Sequence, residues 1–261
     1  AGFTFDEIDN IFTTENMTKR VIPFNQVIKP NDPHNFIHIA TNDNDQAIVD
    51  RVSSFNTRLD ELELQVSTGP VVGFRLREYL RQDIDKGCAG LIYSSHLKNL
   101  VTWPIDKKPN AISINQKTEK LIWENTGDYV LVDRFSSKEQ NRRINASIYQ
   151  NTAIPSEFVG FDNKLNVFHK NKKPLDSNLA KGLFVFLNSR LIDKYYRLFG
   201  GHTQVNATDL RSINYPSQES LARMGLKLDL NSISQDEIDL IIEQELANMT
   251  NNKNNPFNVD K

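Results

Sequence analysis

The stretch Lys120-Leu121-Ile122-Trp123-Glu124-Asn125-Thr126-Gly127-Asp128-Tyr129-Val130-Leu131-Val132 holds two short apolar runs separated by four turn-forming residues. Neither run is long enough for a helix, and both are rich in β-branched and aromatic side chains, so each reads as a strand. The same rhythm extends outward on both sides. Ala89–Tyr93, Leu100–Trp103 and Ala111–Ile114 precede it; Ile144–Tyr149, Phe158–Phe161 and Leu165–Phe168 follow. Lys107-Lys108-Pro109-Asn110 and Asp162-Asn163 supply further turns. Residues 65–172 therefore predict a mostly antiparallel β body, entered by a short helix over Gly73–Gln82.

The flanks read differently. Residues 19–40 carry Val21, Ile22, Phe24, Val27 and Ile28 with Pro30 and Pro33, a pattern of extended segments. Asn42 can cap a helix to Phe55 whose stripe is Ile48, Val49, Val52 and Phe55, with a connector over Asn56–Leu64. In the last third, Ser177 opens a long helix to Phe199, ended by Gly200-Gly201 in a left-handed turn. Ser234-Gln235-Asp236-Glu237 is a capping box for a final helix, and the chain loosens beyond Asn248. The fold class is α+β: a mostly antiparallel β body with a C-terminal helical part. The expected division is a linking segment 1–64, a main domain 65–250 and an Asn-rich tail 251–261.

With 38% hydrophobic and 25% charged residues, 261 residues can bury a real core. No apolar run approaches the roughly 20 residues of a membrane span. The lone Cys88 has no thiol partner, so a reducing cytoplasm is the expected location. The net charge of −2 conceals an asymmetry. Val71–Tyr215 holds 22 Lys and Arg against 14 Asp and Glu, a net of +8, while the remainder carries −10. A basic middle between acidic flanks fits either a polyanion-binding surface or an unevenly charged solvated one.

Phosphate-cradling and nucleophile-elbow motifs are missing, and the five histidines are scattered. Asp106-Lys107-Lys108, with Asp85 upstream, fits a fragment of a magnesium-dependent nuclease site or, more simply, a lysine-rich turn. No catalytic or metal-binding residue is assigned. Three polar clusters remain. Val66–Arg77 places Arg75 and Arg77 after small, flexible residues. Arg134-Phe135-Ser136-Ser137-Lys138-Glu139-Gln140-Asn141-Arg142-Arg143 holds four cations suited to phosphates, with only one of Arg142 and Arg143 facing a ligand if the backbone is extended. Gly201-His202-Thr203-Gln204-Val205-Asn206-Ala207-Thr208-Asp209-Leu210-Arg211 alternates His202, Gln204 and Asn206 along one side of an extended loop. Amides read adenine edges and Arg reads guanine. Gln204 could equally tie its own loop, and Asn206 or Thr208 could cap a helix starting near Ala207, with capping favoured over base contact for Thr208.

In this order the three clusters resemble the gamma-class DNA adenine N6-methyltransferases of restriction–modification systems. Phe161–His169 and Gly182–Ser189 resemble them too, and the likeness spans roughly Lys19 to Asp239. It implies a bacterial target-recognition region that reads double-stranded DNA, partnered by a catalytic methyltransferase domain. In the family that domain binds S-adenosylmethionine and methylates a flipped adenine. The cofactor's glycine motif and the Asn-Pro-Pro-aromatic motif are lacking here, and Asn254-Asn255-Pro256-Phe257 is a superficial match. Gly73 stands where the family often has Asp. The resemblance makes Arg75, Arg77, Arg134, Lys138, Arg142, Arg143, His202, Gln204, Asn206 and Arg211 the expected DNA-binding residues, with no cofactor on this chain and no membrane partner. The layout is also similar to type I specificity subunits.

Overall fold

The computed structural model describes residues 21–28, 37, 40–106, 108–200 and 203–253. Two sheets form the β body. In the first, strands run in the order β1 (Gln65–Thr68), β9 (Leu165–His169), β6 (Tyr129–Asp133), β7 (Ala146–Tyr149), all antiparallel. The second is ordered β2 (Leu80–Arg81), β4 (Ala111–Ser113), β3 (Cys88–Ile92), β8 (Phe158–Phe161), β5 (Ile122–Glu124). There only β3 and β8 run parallel. The architecture is α+β, as the spacing of apolar runs implies. The turn at Asn125–Asp128 does not close a hairpin: it carries the chain from the second sheet to the first.

Strand alternation explains the layering. Along β6, Tyr129 and Leu131 join Trp123, Tyr149, Phe161, Leu165 and Val167 in a core between the sheets. Val130 and Val132 point the other way, with Val66, Ile148 and Phe168, into a core shared with the helices. A smaller cluster around Val71, Ala89, Leu91 and Ile112 covers the outer side of the second sheet. Burying each such aliphatic or aromatic side chain contributes about 1.5–3 kcal/mol, so both faces of the first sheet are committed.

Among the described residues the helices are α1 (Phe24–Val27), α2 (Asp43–Ser53), α3 (Ser177–Asn188), α4 (Arg190–Phe199), α5 (Ala207–Ser212), α6 (Gln218–Lys227) and α7 (Gln235–Lys253). Asn42 caps α2 by accepting from the Asp45 N–H at 2.9 Å, and Ser234 accepts from Glu237 N at 3.2 Å at the start of α7. Helix α3 is buried on nearly every side, between the first sheet and helices α6 and α7. Its Gly182 and the Gly225 of α6 let two backbones meet. A Cβ on Gly182 would lie 1.8 Å from the Leu221 carbonyl oxygen, and one on Gly225 1.9 Å from that of Asn178.

Several expectations are corrected. The long helix 177–199 is two helices, with Asp176 rather than Ser177 capping the first. The break falls at Ser189, which takes an extended ψ of 147° and caps α4 through Ile192 N. Its cause is tertiary: the Asn188 amide pairs with both backbone groups of Ala146, at 3.1 and 3.0 Å. Gly200 ends α4 at φ −78°, not left-handed, and Gly201 lies outside the described residues. The helix expected over 73–82 is two 3₁₀ turns, Gly73–Arg75 and Arg77–Tyr79, followed by β2. Phe24–Val27 forms one helical turn within a stretch read as extended, and α7 continues to Lys253, past Asn248.

Candidate nucleic-acid interface

The turn between β8 and β9, Asp162-Asn163-Lys164, is where the polar segments meet. On one side Val71 N donates to Phe161 O at 3.0 Å, and Asn163 N donates to Val71 O at 2.9 Å. Gly69 makes that approach possible, since a Cβ there would sit 2.3 Å from the Asp162 carbonyl oxygen. The turn thus fixes the loop that carries Arg75 and Arg77.

On its other side, Arg134 N donates to Lys164 O at 2.9 Å, and the Arg134 guanidinium donates to Asn163 O at 2.8 Å. The second arm of that guanidinium reaches Gln204 Oε1 at 3.3 Å. Backbone bonds from Val205 N to Arg134 O (2.8 Å) and Ser136 N to Thr203 O (3.0 Å) lay the Gln204 loop beside Arg134 as a short antiparallel bridge. Asn166 and Tyr196 hold the loop from beneath, through the carbonyls of Val205 (2.8 Å) and Gln204 (3.3 Å). Tyr196 also donates to the buried Asp209, whose carboxylate accepts from Asn206 N at 2.9 Å and so closes the start of α5. Arg77, Arg134 and Gln204, from three separated clusters, therefore flank one turn.

A cleft of about 360 Å3 opens on this face between Gly73, Phe74, Arg77, Tyr93, Lys108 and Lys164. Its floor carries the buried Asp162, whose carboxyl is pushed up by desolvation against the pull of Lys164 and Lys108. Burial and Asp162 raise the Tyr93 hydroxyl to about 12, so it stays a neutral donor at physiological pH. The Lys108 ammonium lies 5.6 Å over the Tyr93 ring. Lys108 and Lys164 join this face although neither is among the expected DNA-binding residues: Lys108 lies in a lysine-rich turn that also fits a nuclease fragment, and Lys164 follows the Asp162-Asn163 turn.

The remaining expected residues are placed as follows. Arg75 is exposed, its guanidinium 5.4 Å from the Phe74 ring. Lys138 is exposed on the same loop as Arg134, while its carbonyl is held by Arg197 at 3.0 Å. Arg142 is half-buried and donates to Asn188 Oδ1 at 2.7 Å. Arg211 is exposed but gives one arm to Val66 O at 2.7 Å, against β1. Asn206 is the N-cap of α5, and Thr208, the other candidate for that role, lies inside the helix. His202 lies outside the described residues.

Arg143 requires a correction. It is 1% exposed. Its guanidinium donates to Ser136 Oγ at 3.0 Å and Gly200 O at 2.9 Å, and it lies 5.3 Å over the Tyr196 ring. Its backbone N–H donates to Asp193 at 2.6 Å. The side chain ties the Arg134–Arg143 loop to the end of α4 and offers no charge to a phosphate at the surface.

His169 pairs with Ser67 at 2.8 Å, which resembles an activated nucleophile. Lys172 N donates to His169 Nδ1 at 3.0 Å, however, so Nε2 carries the proton and donates to Ser67. That polarity is wrong for a general base. Burial, with Lys172 and Arg211, lowers His169 to about 4. Among the described residues no three His, Cys, Asp or Glu side chains group as a metal site, and Asp85 and Lys108 line different clefts. Nor is any described helix long and apolar enough to cross a membrane.

The chain is homologous to type II methyltransferases over about nine-tenths of its length. It is 47% identical to the type II methyltransferase M.PstI of Providencia stuartii over 237 residues, 90% of this chain and 46% of that protein. To M.BsuBI of Bacillus subtilis, also a type II methyltransferase, it is 43% identical over 230 residues, 87% of this chain and 46% of that protein. The chain spans about half the length of the curated relatives it matches. No family model matches it.

Proposed function

We propose that this chain is the target-recognition region of a restriction–modification adenine-specific DNA methyltransferase, reading double-stranded DNA for a catalytic domain outside these 261 residues. The observation that carries this reading is the convergence of Arg77, Arg134, Lys108, Lys164 and Gln204 on the Asp162–Lys164 turn. Cations there meet phosphates, and they position the duplex without reading it. Gln204 supplies the paired donor and acceptor that suit an adenine edge in the major groove. Its carbonyl is oriented by Arg134, so the amide is presented in one sense rather than both. On this reading S-adenosylmethionine and the methyl-transfer step belong to the other half of the protein.

Selection from a random duplex pool tests the proposal. The chain should enrich one site, and Gln204→Ala should weaken that site by about 1–3 kcal/mol while leaving random duplexes nearly unchanged. An equal loss on both would reduce Gln204 to a loop tie.

A further inference from the structure

Two large apolar rings stand out from the interface, Phe74 at 68% and Phe135 at 61% exposure. They are not equivalent. Phe74 sits on a single 3₁₀ turn and its ring is partly covered by Arg75. Phe135 is held on a braced backbone. It pairs with Gln204 in the antiparallel bridge, its N–H donates to the Asp133 carboxylate at 3.1 Å, and its neighbours Arg134 and Ser136 are both hydrogen-bonded to the Gln204 loop. Beneath it Ser136 is fully buried and bonded to Arg143. The ring is therefore projected by a rigid support, beside a base-reading amide and next to Arg134.

A single exposed phenyl ring is ordinary on a protein surface, and this one points to a partner only through what surrounds it. Here cations predominate: Arg134 and Lys138 on the same loop and Lys164 hydrogen-bonded to the Arg134 backbone, against the half-buried Asp133 and the exposed Glu139. A polyanion with apolar flat faces matches that combination, and stacked base pairs are such faces. Proteins that enter a base step do so with an apolar wedge carried between phosphate-binding cations.

We propose that Phe135 is a wedge that enters the base stack of bound duplex DNA beside the base met by Gln204. The inference rests on the DNA-reading function proposed above and goes beyond it, because phosphate contact and amide readout require no unstacking. Its consequence is local distortion: some of the discrimination between sites would come from how easily one base step opens.

Permanganate oxidation of unstacked thymines, with binding titrations in parallel, tests this on wild-type chain, Phe135→Ala and Phe135→Leu. The duplex would be the one that wild-type chain enriches, with random duplex as control. Wild-type chain should create a hyperreactive thymine in the enriched duplex. Phe135→Ala should abolish it and cost about tenfold in affinity there, against less than about twofold on random duplex. Phe135→Leu, which keeps an apolar wedge, should retain part of the reactivity. Because the ring is exposed, thermal melting of the variants should match wild type. An unchanged permanganate pattern in Phe135→Ala, with DNA binding intact, overturns the wedge alone. Failure of wild-type chain to bind any duplex overturns the wedge together with the reading beneath it.

Discussion

Replacing Arg143 with Ala should unfold the interface from within rather than strip it of charge. The side chain is 1% exposed, and its loss removes at least two hydrogen bonds and a cation–π contact. It leaves the Ser136 hydroxyl and the Gly200 carbonyl to find new partners. Each unsatisfied buried group costs about 1–3 kcal/mol, and a desolvated cation–π contact is worth about 1–2 kcal/mol. The expected destabilisation is about 3–8 kcal/mol, a large share of the about 5–15 kcal/mol of a whole domain. Arg143→Lys should recover little, because a compact ammonium cannot reach two acceptors and stack on Tyr196 as a planar fork does. Urea unfolding followed by tryptophan fluorescence measures this directly. A change below about 1 kcal/mol, together with an even loss of affinity for all DNA, would show that Arg143 is a phosphate ligand and that the clamp is wrong.

Three further outcomes are expected. Gly182→Ala should cost about 3 kcal/mol or more, since its Cβ meets the Leu221 backbone, whereas Gly73→Ala should be near neutral because its nearest contact would be 3.9 Å away; paired thermal melts distinguish them. His169 is lowered in the folded state to about 4, so between about pH 6.5 and 4 the unfolded chain binds more protons at this position. Its contribution is fully present above about pH 6.5 and is lost as pH falls toward 4, by up to about 3 kcal/mol. Wild-type chain should therefore lose more stability across this window than His169→Gln, and parallel slopes would refute the assignment. Lys164→Ala should weaken binding to every duplex by a similar factor and leave the melting temperature unchanged; a loss confined to one site would make Lys164 a base reader instead.

Much of the fold can be read from local chemistry. Asn42 and Ser234 are caps with their partners within three residues, so a short window contains the whole cause. The runs around Trp123 and Tyr129 are legible as strands for the same reason. Their assignment to different sheets is not, because a period of two says which face a side chain takes and nothing about which strand lies alongside. The break at Ser189 is hidden because apolar spacing continues from Leu187 to Leu191, and the force that ends α3 comes from Ala146, some forty residues earlier. The interface shows the same division. Arg134 and Gln204 stand in visibly polar clusters, whereas Lys108 and Lys164 sit in ordinary turns and gain meaning only when β3 and β8 bring those turns together. Arg143 is identical in sequence terms to its neighbour Arg142. Ser136 on its own loop, with Tyr196 and Gly200 at the end of α4, withdraws it from the surface.

The most direct measurement is a fluorescence-anisotropy titration of the chain against random duplex DNA from about 50 to 200 mM salt. Among the described residues, six cations stand around this face: Arg75, Arg77, Lys108, Arg134, Lys138 and Lys164. If three to five of them meet phosphates, log affinity should fall against log salt with a slope of about −3 to −5. Binding that ignores salt, or no binding at about 50 mM, would contradict a phosphate-tracking surface built on the Asp162–Lys164 turn.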